Sequence, residues 1–141
     1  GAGFPQGIHK VFVPVIVNRT TEPGLEGAFT EALREQLARG GYLGGEGSDG
    51  RIEGELLSVT ALVAQLAPGT SGALTYRVVA TLRVRLFRDK TLLSQTDVTG
   101  TEDYLPALRA AVLTTEANRQ AAIRRLASAL ATDAVARLQT G

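Results

Sequence analysis

The clearest pattern along the chain is a strict alternation from Leu74 to Phe87. Leu74, Tyr76, Val78, Ala80, Leu82, Val84 and Leu86 interleave with Thr75, Arg77, Val79, Thr81, Arg83, Arg85 and Phe87. A period of two sends the first set to one side of a half-buried strand and the second to the other. The even-numbered side is the apolar one and belongs against a core. Arg88-Asp89-Lys90 makes a short polar turn, and the Thr- and Leu-rich stretch 91–102 then returns as an antiparallel partner.

Upstream, Val11-Phe12-Val13-Pro14-Val15-Ile16-Val17 is apolar on both sides and rich in β-branched residues, which predicts a strand over about residues 8 to 17. Pro14 has no N–H for a ladder and points instead to an edge position or a bulge, in conflict with burial on both faces. Asn18 to Gly24 supplies polar capping residues before Pro23 in what would be a first helical turn. The spacing of Leu25, Phe29, Ala32, Leu33, Gln36 and Leu37 then predicts a helix to Arg39, ended by Gly40-Gly41. Residues 40–50 are about half glycine and read as a flexible connection into a second strand, Arg51-Ile52-Glu53-Gly54-Glu55-Leu56. If the two strands share a sheet, they run parallel.

Ala61 to Gly72 reads as a loop around Pro68-Gly69, while residues 103–113 carry helical and loop signals together. From Thr115 onward Ile123, Leu126, Ala127, Leu130, Ala134 and Leu138 fall on one arc of a long helix, with Thr114 or Thr115 placed to cap it. The expected architecture is α+β: two helices packed on one face of a mixed four-stranded sheet, in the order β-α-β-β-β-α. It forms one domain over 8–139, preceded by a tether at 1–7.

Composition narrows the chemistry. A chain of 141 residues buries about two thirds of its unfolded surface, enough for a core of Leu, Val, Ile and Ala. A net charge of +1 with no basic block argues against nucleic acid as a partner. The absence of Cys excludes disulfides and thiolate chemistry, and His9 alone builds no zinc cluster, so no metal and no cofactor is expected. The Gly44–Gly50 run lacks the Lys-Ser/Thr pair of a phosphate loop and leads into a strand. Asn18-Arg19-Thr20 matches a glycosylation sequon but sits where Asn serves a turn, and no modification is assigned. Glu53 and Glu55 share a strand face without a nucleophile or metal context, and both they and His9 read as solvated surface, leaving no catalytic residue. Arg77, Arg83 and Arg85 share the non-core face of their strand with Val79 and Phe87. That face is either solvated or a receptor for anionic groups bound bidentately.

Three stretches carry a family resemblance: Val11-Phe12-Val13-Pro14-Val15-Ile16-Val17-Asn18-Arg19-Thr20, then Glu22-Pro23-Gly24-Leu25-Glu26 with Thr30-Glu31-Ala32-Leu33, and Thr115-Glu116-Ala117-Asn118-Arg119. Together the chain resembles the LptE family of lipopolysaccharide-assembly lipoproteins over about residues 4 to 139. The resemblance implies a non-catalytic protein on the periplasmic face of the outer membrane, anchored through a lipidated N-terminal Cys. No Cys is present here, and the anchor is expected just before Gly1 or Ala2. It further implies a place inside an LptD-type β-barrel, help in that barrel's assembly, and binding of lipopolysaccharide. No basic motif of the family aligns position by position, so Arg77, Arg83 and Arg85 are candidates for lipopolysaccharide contact by spacing alone. Two other classes stay open: another envelope lipoprotein of related fold, such as a cell-wall synthase regulator or a secretion-channel subunit, and a small hydrolase, for which the residues offer no support.

Overall fold

A computed structural model describes residues 3–66, 74–105 and 112–140. A 3-10 turn at Pro5–Gly7 leads into β1 (Val11–Phe12) and β2 (Val17–Asn18), followed by α1 (Leu25–Arg39), β3 (Gly50–Leu66), β4 (Leu74–Arg88), β5 (Thr91–Tyr104) and α2 (Val112–Thr140). The sheet is mixed. β1 and β2 lie parallel to β3, which pairs antiparallel with β4, and β4 pairs antiparallel with β5. Both helices cover one face, as the α+β pattern requires, with five strands in place of the four expected.

The extra strand comes from Pro14. Phe12 faces Arg51 and Val17 faces Glu55, so five residue steps (12 to 17) oppose four (51 to 55) and the edge strand bulges between its halves. The backbone groups released there are taken by α1. Arg34 donates from Nε and Nη2 to the Val13 carbonyl at 3.0 and 2.7 Å, and the Ile16 N–H donates to Thr30 Oγ1 at 3.0 Å. Thr30 is buried and its hydroxyl donates in turn to the Glu26 carbonyl. The conflict around Pro14 resolves as an edge strand with one buried side: Val11, Val13 and Ile16 point inward, Val15 and Val17 outward.

Residues at helical spacing fill the core. Leu25, Phe29, Leu33 and Leu37 from α1, and Ile123, Leu126, Ala127, Leu130, Ala134 and Leu138 from α2, pack over Ile52, Leu56, Val98 and the even-numbered side of β4, from Val78 to Leu86. The buried alanines of α2 let it lie close to the sheet. Phe4 also belongs to this core, edge-on to Tyr42 with ring centroids 5.1 Å apart. The packed unit therefore reaches back into the stretch expected as a tether.

Several local expectations change. β3 continues to Leu66 because 61–66 pairs with 74–78 through a second bulge, where a loop from Ala61 was expected; Pro68 and Gly69 lie outside the described residues. Asp103 and Tyr104 close β5, and α2 opens at Val112, so Thr114 and Thr115 lie inside the helix instead of capping it. Residues 106–111 lie outside the described ones. α1 begins after Pro23, with Gly24 as its N-cap at φ +89° and no side-chain cap. That left-handed conformation suits glycine.

The Gly-rich stretch at 44–50 is tied down, contrary to the flexible connection expected. Gly44 and Gly50 donate to the Val11 and Lys10 carbonyls, and the Asp49 carboxylate accepts the backbone N–H groups of His9 and Lys10 at 3.0 to 3.2 Å. Those amides hold the Asp49 pKa down at about 2. A folded pKa below the unfolded value near 4 means that this latch contributes above pH ~4 and is lost as pH falls through ~2. The amides of His9 and Lys10 are expected to stay protected from hydrogen exchange at pH 3. In Asp49→Ala they are expected to exchange at the rate of unprotected amides at the same pH; equal protection in the two proteins would mean the carboxylate holds nothing.

Candidate functional site

The face of the sheet turned away from the helices has no cover among the described elements. Arg77, Arg83 and Arg85 all project from it, as their odd-numbered spacing requires, and Val79 and Phe87 beside them are half-buried. Each arginine has a partner. Arg77 forks onto Asp103 at 2.8 and 3.2 Å, and Arg83 onto Asp97 at 2.8 and 3.0 Å, across directly opposed positions of β4 and β5. Between them the Thr81 and Thr99 hydroxyls share a hydrogen bond of 2.9 Å. Arg85 donates to Gln95 at 2.7 Å and to Glu55 at 2.6 Å, and Glu55 also receives Arg19 at 3.0 Å. Arg51 donates to Glu53 at 2.8 Å.

The face is thus a ladder of alternating charge. Hydrogen bonds from Arg83 and Arg77 hold the Asp97 and Asp103 carboxyls below the usual range, and Arg19 followed by Arg85 does the same for Glu55. The guanidinium groups of Arg77 and Arg83 are raised in return. An incoming phosphate would have to exchange with a carboxylate already in the bidentate position, and half-exposed pairs of this kind contribute little to stability and exchange readily. Sequence reasoning found the arginines and missed their acids. It also missed Arg19 and Arg51, which adjoin the same face and help line, with Pro14, Val15, Glu55 and Arg85, a concavity of about 310 Å³ beside the edge strand.

His9 and Asn18, also weighed for chemistry, make contacts of their own. His9 is exposed, 3.4 Å from Asp49. Asn18 builds the turn: its Oδ1 accepts the Thr20 N–H and hydroxyl at 2.9 and 2.6 Å, and its Nδ2 donates to the Glu22 carbonyl at 2.8 Å. Glu22 then pairs with Arg119 of α2, whose guanidinium it raises, and Asn118 donates to the Leu105 carbonyl at 2.9 Å. The stretches that carry the resemblance therefore meet in space as a brace between the α1 entry loop and α2. Among the described residues no group of three or more His, Asp or Glu side chains could hold a metal ion, and no helix is long and apolar enough to cross a membrane.

The domain is thus α+β, with both helices on one side of the sheet and a charged face, uncovered among the described residues, on the other. The family model for lipopolysaccharide assembly, LptE, matches residues 8–138, and the chain belongs to that family. No curated protein matches. Among solved structures, a Caulobacter crescentus CB15 protein described as a lipoprotein is 16% identical with a TM-score of 0.62, covering 89% of both chains. The rare lipoprotein B of Shewanella oneidensis is 13% identical at a TM-score of 0.55, over 89% of this chain and 93% of that one. A PelC dodecamer from Paraburkholderia phytofirmans is 16% identical at 0.52, over 93% and 87%. At these identities the likeness is one of fold.

Proposed function

We propose that this domain is a periplasmic, lipid-anchored subunit of the lipopolysaccharide translocon of the outer membrane. In this reading it associates with an LptD-type β-barrel, helps that barrel assemble and presents lipopolysaccharide to it, without catalysing a reaction. The observation that carries the reading is the family match over residues 8–138. The uncovered charged face supports it, because a domain of this size leaves such a surface free for association. Arg77, Arg83 and Arg85 are the proposed contacts for lipid A phosphates, which would replace Asp103, Asp97 and Glu55 in the bidentate positions.

Affinity purification of the full-length protein from native outer membranes tests the partner: a stoichiometric large barrel is expected, and depletion lowers mature barrel and surface lipopolysaccharide together. The second reading is another envelope lipoprotein of related fold, such as a cell-wall synthase regulator or a secretion-channel subunit; a protein described as a lipoprotein, from Caulobacter crescentus, shares this fold. Recovery of a secretion channel or a cell-wall synthase with unchanged barrel levels would establish that reading instead.

The ladder gives a two-sided test of the phosphate contacts. Arg77→Glu, Arg83→Glu and Arg85→Glu combined should abolish salt-sensitive lipopolysaccharide binding in a folded protein. Asp97→Asn with Asp103→Asn should strengthen it, since the phosphates then meet arginines with no competing carboxylate. Binding unmoved by both sets returns this face to plain solvated surface.

A further inference from the structure

β5 ends the sheet, with β4 on one side and no strand on the other among the described residues. In an antiparallel ladder alternate residues turn their N–H and C=O toward the partner strand or away from it. The carbonyls of Asp97 and Asp103 turn away from β4 and accept from Arg137 Nη1 and Arg125 Nη2 of α2 at 3.4 and 3.3 Å. The register with β4 is unbroken from Ser94 to Tyr104, so Thr99 and Thr101 turn the same way. The 2.9 Å contact between the Thr81 and Thr99 hydroxyls agrees, because opposed side chains come closest where the backbone exchanges no bonds. Among the described residues no backbone hydrogen bond reaches Thr99 or Thr101 from outside the sheet, and both residues are exposed. Natural proteins blunt such an edge with Lys, Pro or a bulge. Residues 97 to 103 contain none of these, and two half-exposed arginines alone touch the ends of the open stretch.

We infer that this edge receives an extended segment of a partner polypeptide as an added strand, with basic side chains opposite Asp97 and Asp103 and uncharged ones between. Backbone pairing with Thr99 and Thr101 holds such a strand, and side chains at alternate positions select it. Arg125 and Arg137 withdraw from the two carbonyls and keep their pairs with Glu102 and Asp133. On the uncovered face the new strand lies beside the carboxylates of Asp97 and Asp103, held from the β4 side by Arg83 and Arg77 but still 41% and 45% exposed. A basic residue directly opposite each continues the alternation of charge across the sheet, whereas an acidic one meets like charge. A second copy of this chain does not fit. α2 lies over β5 closely enough to reach its outer carbonyls. Neighbouring strands stand about 4.8 Å apart and packed helices about 8–10 Å, so two paired β5 edges would drive two α2 helices into one space. The inference rests on the ladder and is independent of the translocon reading.

The probe is a heptapeptide blocked at both ends, with Lys first and last, Thr third and fifth, Val at the centre and Ser at the remaining positions. In the free protein the amides of Thr99 and Thr101 should exchange quickly with solvent, while those of Val98 and Gly100, turned toward β4, stay protected. Adding the peptide should slow exchange at Thr99 and Thr101 several-fold and shift their resonances. The same peptide N-methylated at its third and fifth residues lacks the facing donors and should do neither, and so should one with Glu in place of Lys. Thr101→Pro removes an outward N–H that the ladder with β4 does not use, a change tolerated at a sheet edge, and should abolish the response. The peptide comparisons use the unaltered chain and decide the matter without that variant. Absence of protection by the Lys peptide would overturn the inference, as would equal protection by the N-methylated or the Glu peptide. Protection that appears without peptide as protein concentration rises would give the edge to a second copy and overturn it too.

Discussion

Leu82→Asp is expected to leave the protein largely unfolded at room temperature. Leu82 is fully buried on the helix side of β4, and its cross-strand neighbours Leu56 and Val98 are buried with it. Removing the side chain forfeits about 2–3 kcal/mol of apolar burial. A carboxyl put in its place finds no polar partner on that side of the sheet and costs several kcal/mol more, whether it stays charged or takes up a proton. The sum, about 5 kcal/mol or more, is comparable with the whole stability of a domain of this kind, roughly 5–15 kcal/mol.

One residue further along, Arg83→Asp should lower the melting temperature by only a small fraction of that. It removes the pair with Asp97 and sets two carboxylates opposite one another, yet both stand at the solvated face, where ion pairs are weak and repulsion is screened. Thermal denaturation of the two variants decides the point. Comparable losses would mean that the helices do not cover the even-numbered face.

That face was legible because period-two alternation needs no knowledge of partners. The same holds for α1, whose span from Leu25 to Arg39 follows from i, i+4 spacing and the Gly40-Gly41 stop. What stayed hidden depends on pairing. Pro14 announced an edge or a bulge, but its resolution lies in Thr30 and Arg34, side chains of a helix that begins eleven residues later, and no local rule links them to the Ile16 amide and Val13 carbonyl. The continuation of β3 past Ala61 was missed for a related reason: two bulges, after Leu56 and after Val63, break the alternation that would have revealed a strand.

The arginine face shows the limit most plainly. The hairpin turn at Asp89-Lys90 pairs Arg88 with Thr91 and Phe87 with Leu92, and continued without interruption it would set Arg83 opposite Thr96. A bulge next to Leu92 lets Leu86 pair with Ser94, shifting the register by one and bringing Asp97 opposite Arg83 and Asp103 opposite Arg77. The same shift places Val98 beside Leu82 in the core. One extra residue in β5 thus decides whether the arginines are bare or paired, and a slip of one residue moves every side chain to the other face. The acids were in the sequence; their placement was a property of the register.

Gly50→Ala is expected to cost about 3 kcal/mol, near the upper end of overpacking penalties, although a strand position usually gains from replacing glycine. Gly50 is buried where the edge strand crosses closest to β3. A Cβ there would stand 2.5 Å from Ile8 Cγ2, 3.1 Å from the Lys10 carbonyl oxygen and 3.2 Å from Val11 Cγ2. Two of those atoms sit on β-branched side chains and one on backbone, so none can swing aside without moving β1. The Gly50 N–H bond to Lys10 and the Asp49 latch next to it would be strained together. Gly100→Ala is the control. Its Cβ would meet only Leu130 and Leu126, and its nearest contacts, at 2.9 and 3.1 Å, are the flexible ends of those side chains, so α2 can adjust. At roughly 4 °C per kcal/mol for a domain of this size, Gly50→Ala should lower the melting temperature by about 10 °C and Gly100→Ala by no more than a few. Equal shifts would show that β1 yields as easily as a leucine side chain, and that the edge strand is not held against β3 as tightly as its contacts require.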